Sequence, residues 1–246
     1  MMAEPDFTGK VAIVTGASRG IGRTITVALA ERGALVVGTA RKLDSSEGTG
    51  GTLKETIELV ERGGGKAFAV PADISGEEGP RRIVEETLEA FGRIDMLVNN
   101  AGMFPESSIA EMDLGVWRDN LDINLTTPFI MSKAVLPIMM RQRSGNILNI
   151  TSGASVRYLA GYVAYGTAKA GLNALSWLLA REVQEYGIAV NSWMPGLINT
   201  DMSGHRGDDV SVVVPSTMWL LAQTAGTFTG QIVERKRFGT EYGPKV

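Results

Sequence analysis

Tyr165 and Lys169, in the run Tyr165-Gly166-Thr167-Ala168-Lys169, stand four residues apart, the spacing that puts a phenol and an ammonium on one helix face. A lysine cation beside a phenol favours the phenolate and lowers a pKa that starts near ~10. Such a tyrosine can give or take a proton near neutral pH. The pair alone is weak, because tyrosine and lysine often share a helix face by chance. Its weight comes from order: Ser152 lies upstream, Asn124 further upstream, and a glycine-rich turn opens the chain.

That turn reads Thr15-Gly16-Ala17-Ser18-Arg19-Gly20-Ile21-Gly22. It is not the Gly-x-Gly-x-x-Gly fingerprint, but the physics is shared. Gly16, Gly20 and Gly22 permit a tight turn and bring the backbone close to a pyrophosphate at a helix N-terminus. Ser18, Arg19 and Ile21 would then line the phosphates. The end of the next strand speaks to cofactor choice. A carboxylate there would hold the ribose hydroxyls of NAD, yet the chain has Ala40 followed by Arg41. Arg19 and Arg41 together suit a ribose 2′-phosphate through charged, bidentate hydrogen bonds. The expected cofactor is therefore NADP(H), with NAD(H) as the alternative.

Positioning these groups takes a repeating strand–helix pattern. Lys10 to Thr15 is a continuous apolar run ending in glycine, as in a strand buried on both faces. A helical pattern with Ile21, Ile25, Ala28 and Leu29 on one face follows, closed by Gly33. Leu35 to Thr39 is the second strand and completes a βαβ unit. The polar, glycine-rich segment 42–51 reads as a loop. Capping-box pairs at Thr52 with Glu55 and at Ser75 with Glu78 start two further helices, with a strand at 66–70 between them. Strands are expected at 94–98, 146–150, 188–193 and 230–234. Helices are expected over 113–142, strained at Pro128 and Pro137, and over 162–186 and 212–223. This alternation predicts one α/β domain over residues 1–246, a doubly wound parallel Rossmann-type sheet with helices on both faces. Ligands of such sheets bind beyond the C-terminal strand ends, where Gly16, Asn99, Ser152 and Pro195 all fall.

Bulk properties narrow the class. At 246 residues, 44% hydrophobic and 21% charged, the chain reads as an ordinary globular protein. Its net charge of −3 gives no footprint for nucleic acid. With no cysteine and one histidine, His205, neither a metal site nor a histidine triad is expected. The acidic N-terminus lacks the features of a signal peptide, and no apolar run approaches the ~18 residues of a membrane span. A cytoplasmic protein with no membrane partner is expected.

Taken together, these residues resemble the short-chain dehydrogenase/reductase family, over nearly the whole chain from Thr15 to about Gly230. The matching motifs are the glycine turn, Asp73, Asn99-Asn100-Ala101-Gly102, Asn124, Ser152, Tyr165 with Lys169, and Pro195-Gly196 through Thr200. The resemblance implies an NAD(P)H-dependent oxidoreductase that moves hydride between nicotinamide and a carbonyl or secondary alcohol. It implies Tyr165 as general acid or base and Ser152 as hydrogen-bond donor to the substrate carbonyl. Lys169 would hold the nicotinamide ribose, and Asn124 would anchor a water that completes a proton relay. It also implies that Asp73 bonds the adenine with Ile74 flanking it. Asn99, Ala101 and Gly102 would line the adenosine ribose side, and Pro195, Gly196, Ile198 and Thr200 the nicotinamide and its phosphate. A homo-oligomer, tetramer or dimer, is implied as well, with Leu175, Trp177 and Leu178 serving either its interface or the core.

Two departures limit the resemblance. The family's substrate loop after Pro-Gly is often helical; here Asn199 to Asp209 is short and polar, leaving a site that is open or completed by a neighbour. Where many relatives end in Asp-Gly-Gly, this chain has Glu234-Arg235-Lys236-Arg237-Phe238-Gly239, a basic cluster expected at a solvated edge. Met103, Phe104, Ala154, Val156, Tyr158, Leu159, Tyr162, Met194 and Leu197 are the candidates for an apolar substrate pocket, or for core packing. Arg157 and His205 read as surface residues. The leading expectation is a carbonyl reductase or alcohol dehydrogenase acting on a small molecule. The alternatives are a 3-oxoacyl thioester reductase of fatty-acid synthesis and, from another class, a non-catalytic dinucleotide sensor.

Overall fold

The computed structural model describes residues 4–44, 51–157 and 159–245. The described residues form one seven-stranded sheet in the order β3-β2-β1-β4-β5-β6-β7. Its strands are β1 (Val11–Thr15), β2 (Leu35–Ala40), β3 (Lys66–Pro71), β4 (Met96–Asn99), β5 (Gly145–Ile150), β6 (Ile188–Met194) and β7 (Ile232–Glu234). Every pairing is parallel, including that of β7 with β6. Strand order reverses between β1 and β4, which opens a crevice at their C-terminal ends.

The helices are α1 (Gly20–Glu31), α2 (Leu53–Arg62), α3 (Glu78–Phe91), α4 (Leu114–Leu121), α5 (Thr127–Gln142), α6 (Val163–Val183) and α7 (Val214–Leu221). β1 is buried along its whole length, so successive side chains feed opposite layers. Ala12 and Val14 join one core with Ile25 and Leu29 of α1, Leu53 of α2 and Met218 of α7. Ile13 joins the other with Ile83 of α3, Met131 and Val135 of α5, and Leu179 of α6.

Local signals held at several ends. Thr52 and Glu55 make the reciprocal capping box at the start of α2. Gly33 takes a positive φ of 86° just after α1. The second expected capping box does not form. α3 begins after Glu77 with no side-chain cap, and Ser75 instead donates its N–H to Asp73 Oδ1 at 2.9 Å. The nearer carboxylate takes the amide, forming an Asx turn.

The expected helix over 113–142 is three pieces. Between α4 and α5 the chain widens into a π-turn at Asp122–Thr126. Asp113 caps α4 through its side chain, and Pro128 sits in the first turn of α5 where a missing N–H costs little. By length and composition alone the helical stretch Leu114–Gln142 could cross a bilayer, as a buried core helix also could. Met131, Val135 and Met139 from it are buried in the core. The basic segment after β7 is not simply a solvated edge either. Phe238 and Tyr242 pack against Trp219 of α7, at ring-centroid distances of 6.1 and 5.8 Å, and turn the C-terminal segment into core.

Candidate active site

The glycine turn joins β1 to α1, and the end of β4 pins it. Asn100 Nδ2 donates to the carbonyls of Thr15 and Gly16 at 2.9 and 3.2 Å. Thr15 Oγ1 in turn accepts the N–H groups of Asn100 and Ala101, both at 3.0 Å. On the far side, Thr56 Oγ1 donates to Ala17 O at 2.9 Å, and Arg23 Nη2 donates to Ser18 O at 2.7 Å. With these carbonyls tied back and the Ala17 N–H spent on Thr39 O at 3.0 Å, the amides at the start of α1 are the ones placed to face a ligand. Gly22 has no room for a side chain: a Cβ there would lie 2.1 Å from Gly16 O. Asn100 stands in the sequence motif Asn99 to Gly102 but has no role assigned there, and Thr56 and Arg23 are not singled out from sequence. Their signal is purely tertiary, since Arg23 and Thr56 meet only when α2 packs on α1.

Arg19 precedes α1 and bonds Asp201 at 2.9 Å. Asp201 follows Thr200, whose methyl would lie 3.1 Å from a Cβ built on Gly20. The segment after β6 therefore lies across the glycine turn. Arg41 stands at the end of β2, exposed, and its charge helps hold the Asp73 carboxyl below the usual carboxylate range; the hydrogen bonds from Ser75 are the larger cause.

Three expected cofactor residues turn their side chains inward. Asn99 is buried and donates to Asn149 Oδ1 at 2.8 Å, in a network that continues through Asn149 to Ser176 at 2.8 Å and from Ser192 to Ser176 at 2.8 Å. Ile74 packs in the core with Ile83 and Met131, and Ile198 in the opposite core. Asn99 ends β4 and its side chain is held inward by Asn149, whereas Ile74 and Ile198 lie in the loops after β3 and β6 and are drawn into the core by burial of their apolar side chains. Met194, a candidate for the pocket wall, is likewise buried.

Ser152, Tyr165, Lys169 and Asn124 converge on the crevice. Ser152 follows β5 and caps a short 3-10 turn, accepting the Ala154 N–H at 3.2 Å. Ser155 Oγ donates to the Ser152 carbonyl at 2.6 Å, and Asn173 of α6 donates to Ser155 Oγ at 2.8 Å, bracing this turn against α6. Tyr165 and Lys169 lie one turn apart on α6. The Lys169 ammonium is 5.7 Å from the Tyr165 ring centroid, is buried, and donates to Ile150 O at 2.9 Å.

This geometry reverses the expected electrostatics. Burial pushes the Tyr165 phenol above its ordinary value; hydrogen bonding with Ser152 pulls it down and Tyr162 pushes it further up. Lys169 does not override the burial, and its own pKa falls to about 8 for lack of solvent. In this arrangement Tyr165 is protonated at neutral pH and suited to donate.

Asn124 sits in the π-turn, where its Nδ2 donates to Met103 O at 2.9 Å and to Asn120 O at 3.2 Å. Its Oδ1 is buried without a protein partner. Phe104 forms a wall beside Tyr165, with ring centroids 5.1 Å apart, and touches Tyr162 at 4.7 Å. Val156, Leu159 and Leu197 are exposed around the mouth, and Ala154 is half-buried. Tyr158 lies outside the described residues. Arg157 is 66% exposed and 3.5 Å from Glu234, and His205 is exposed at the loop tip.

A family model described as short chain dehydrogenase matches residues 10–211. The chain belongs to the short-chain dehydrogenase/reductase family. It is 42% identical over 204 residues to a 3-oxoacyl-[acyl-carrier-protein] reductase of Vibrio harveyi, covering 83% of this chain and 80% of that one. To the reductase of the same name from Synechocystis it is 40% identical over 197 residues, covering 80% and 77%. Among solved structures, a metagenomic short-chain oxidoreductase in complex with NADP superposes with a TM-score of 0.81 at 30% identity, covering 93% and 97% of the two chains. This short-chain dehydrogenase/reductase is accordingly an oxidoreductase acting on carbonyl or alcohol groups, with the Rossmann-type fold of its relatives.

Proposed function

We propose that this enzyme is an NADPH-preferring reductase of carbonyl groups on small molecules, able to run in reverse as an alcohol dehydrogenase. The observation that carries this is the convergence of Ser152, Tyr165, Lys169 and Asn124 beside the glycine turn. The turn fits a dinucleotide: its carbonyls are held back, and Gly22 brings the helix start against Gly16 O with no space for a Cβ. The orphan Asn124 Oδ1 is a ready acceptor for a ligand or relay water. Gly16, Ser18, Gly20, Ile21 and Gly22 would cradle the phosphates, with Arg19 and Arg41 on a 2′-phosphate and Asp73 at the adenine. Backbone from Asn99, Ala101, Gly102, Pro195, Gly196, Ile198 and Thr200 would line the remainder.

When bound, NADPH supplies the hydride for the carbonyl carbon. Tyr165 donates its proton to the carbonyl oxygen. Ser152 donates a hydrogen bond to the same oxygen, so two donors meet the developing alkoxide. Lys169 orients the ribose, and Asn124 holds the water through which Tyr165 recovers its proton. A high Tyr165 pKa suits the reducing direction, where the residue acts as acid.

A second reading, reduction of 3-oxoacyl thioesters, is favoured by the names of relatives 40–42% identical to this chain. Comparing turnover of 3-oxoacyl thioesters with that of ketones, aldehydes and diketones, NADPH against NADH, decides between the two. Failure on every carbonyl with retained NADPH binding would sink both. The enzyme further reads as a cytoplasmic homo-oligomer with neither nucleic acid nor membrane as partner. Trp177 and Leu178 on α6 are 44% and 53% exposed, and Phe129 on α5 is 49% exposed, whereas Leu175 is half-buried. The first three supply an apolar face for self-association.

A further inference from the structure

The two departures from the family pattern, far apart in sequence, meet in space. Arg235 follows directly on β7, and its side chain is only 13% exposed. Its Nε donates to Pro195 O at 2.7 Å, and its Nη2 pairs with the carboxylate of Asp208. Asp208 closes the neck of the short loop after β6: its N–H donates to Leu197 O at 3.0 Å, and its carbonyl accepts the Asn199 N–H at 2.8 Å. The neck is too narrow for a side chain at Gly207, where φ is +106° and a Cβ would lie 2.3 Å from Leu197 O. At the other end of the loop, Asp201 reaches Arg19 in the glycine turn.

We infer that Arg235 is a positioning residue that fixes the Pro195–Gly196 turn and the loop 197–208 over the crevice. The guanidinium fork is the chemistry this needs. It reaches two acceptors at once in a set geometry, which a lysine point charge does not. Beyond Ile198, which packs in the core at its start, the loop has little apolar surface with which to hold itself down, and Arg235 adds a charged staple at its neck. Arg235 lies outside the region matched by the family model, which ends at residue 211, whereas its partners Pro195 and Asp208 lie within it. Its effect on function runs through Thr200, which the loop holds against Gly20, and rests on the proposed role of that segment in holding NADPH.

The test is amide hydrogen exchange of residues 197–208, read by mass spectrometry, together with NADPH affinity by fluorescence. Arg235→Ala is expected to speed exchange there by ~10-fold or more, with β1 and α6 unchanged, and to weaken NADPH by ~10-fold. kcat at saturating NADPH should stay within about threefold, because Tyr165 and Ser152 are not displaced. Arg235→Lys should recover part of both effects. Asp208→Asn, at a more exposed site, supplies the same readout should Arg235→Ala not fold. Unchanged exchange in the folded variants overturns the inference, and so does faster exchange with unchanged NADPH affinity. A Tyr165→Phe enzyme that still turned over would sink the catalytic reading and leave the exchange result to judge Arg235 separately.

Discussion

Asn124 Oδ1 and Lys169 Nζ look onto the same point beside Gly102. A Cβ built on that glycine would stand 2.6 Å from the first and 3.7 Å from the second. The two come from different elements, the π-turn between α4 and α5 and the first half of α6. Widened turns of this kind often occur at functional sites. Here the turn delivers an asparagine whose amide N–H group is spent on Met103 and Asn120 and whose oxygen is left over.

Tyr165 is the proposed proton donor, so Tyr165→Phe should lower kcat/KM for carbonyl reduction by about 10²–10⁴-fold. NADPH affinity should change little, because the glycine turn and Arg19 are untouched. NADPH oxidation and fluorescence titration measure the two separately. A variant with near-parental turnover would remove Tyr165 from the mechanism.

Lys169 makes a pH prediction. Its pKa falls from an ordinary 10.5 to about 8 on burial. Below pH 8 both folded and unfolded states are protonated, and the folded state carries the full cost of a buried ammonium. Between pH 8 and 10.5 the unfolded state binds more protons, so stability from this group rises with pH. The shift corresponds to roughly 3 kcal/mol. Lys169→Met should therefore be more stable than the parent at pH 7, by about 1–3 kcal/mol because Ile150 O loses its donor. The advantage should shrink from pH 8 towards 10. Denaturant unfolding across that range checks it, and a Met variant less stable at pH 7 would contradict it.

In the proposed cofactor site, Asp201, which bonds Arg19 at 2.9 Å, would compete with a 2′-phosphate for it. The pair is part-exposed, at 42% and 26%, so its worth is small. Asp201→Asn should tighten NADPH by about two- to fivefold and leave NADH nearly unchanged. Arg19→Ala should erase most of the difference between the two cofactors. Equal effects on NADPH and NADH in parallel titrations would show that Arg19 does not read the phosphate.

Gly22→Ala should disable the cofactor turn. A methyl 2.1 Å from Gly16 O and 2.4 Å from Asn100 Nδ2 forces backbone to move. Overpacking of this kind costs about 1–3 kcal/mol, and NADPH binding should fall further than stability does. A crystal structure with an unshifted turn, or unchanged NADPH affinity, would refute this.

Much of the molecule was legible in the sequence because the relevant physics is short-range. Strand and helix periods placed all seven strands within a few residues. The i, i+4 spacing put Tyr165 and Lys169 on one face of α6, the pair at Thr52 and Glu55 capped α2, and strand ends located Gly16, Asn99, Ser152 and Pro195. Other features depended on what the packed chain brings alongside. That Asn99, Ile74 and Ile198 turn their side chains inward follows from the hydrogen-bond network and the two cores that receive them. The direction of the Tyr165 shift follows from how much water packing removes, which overrides the charge of a neighbour one turn away. The clearest case is Arg235, whose basic sequence neighbourhood reads as solvated. Its partners, Pro195 and Asp208, lie just past the end of the adjoining β6 and on the loop after it, and only the pairing of β7 with β6 brings them within reach.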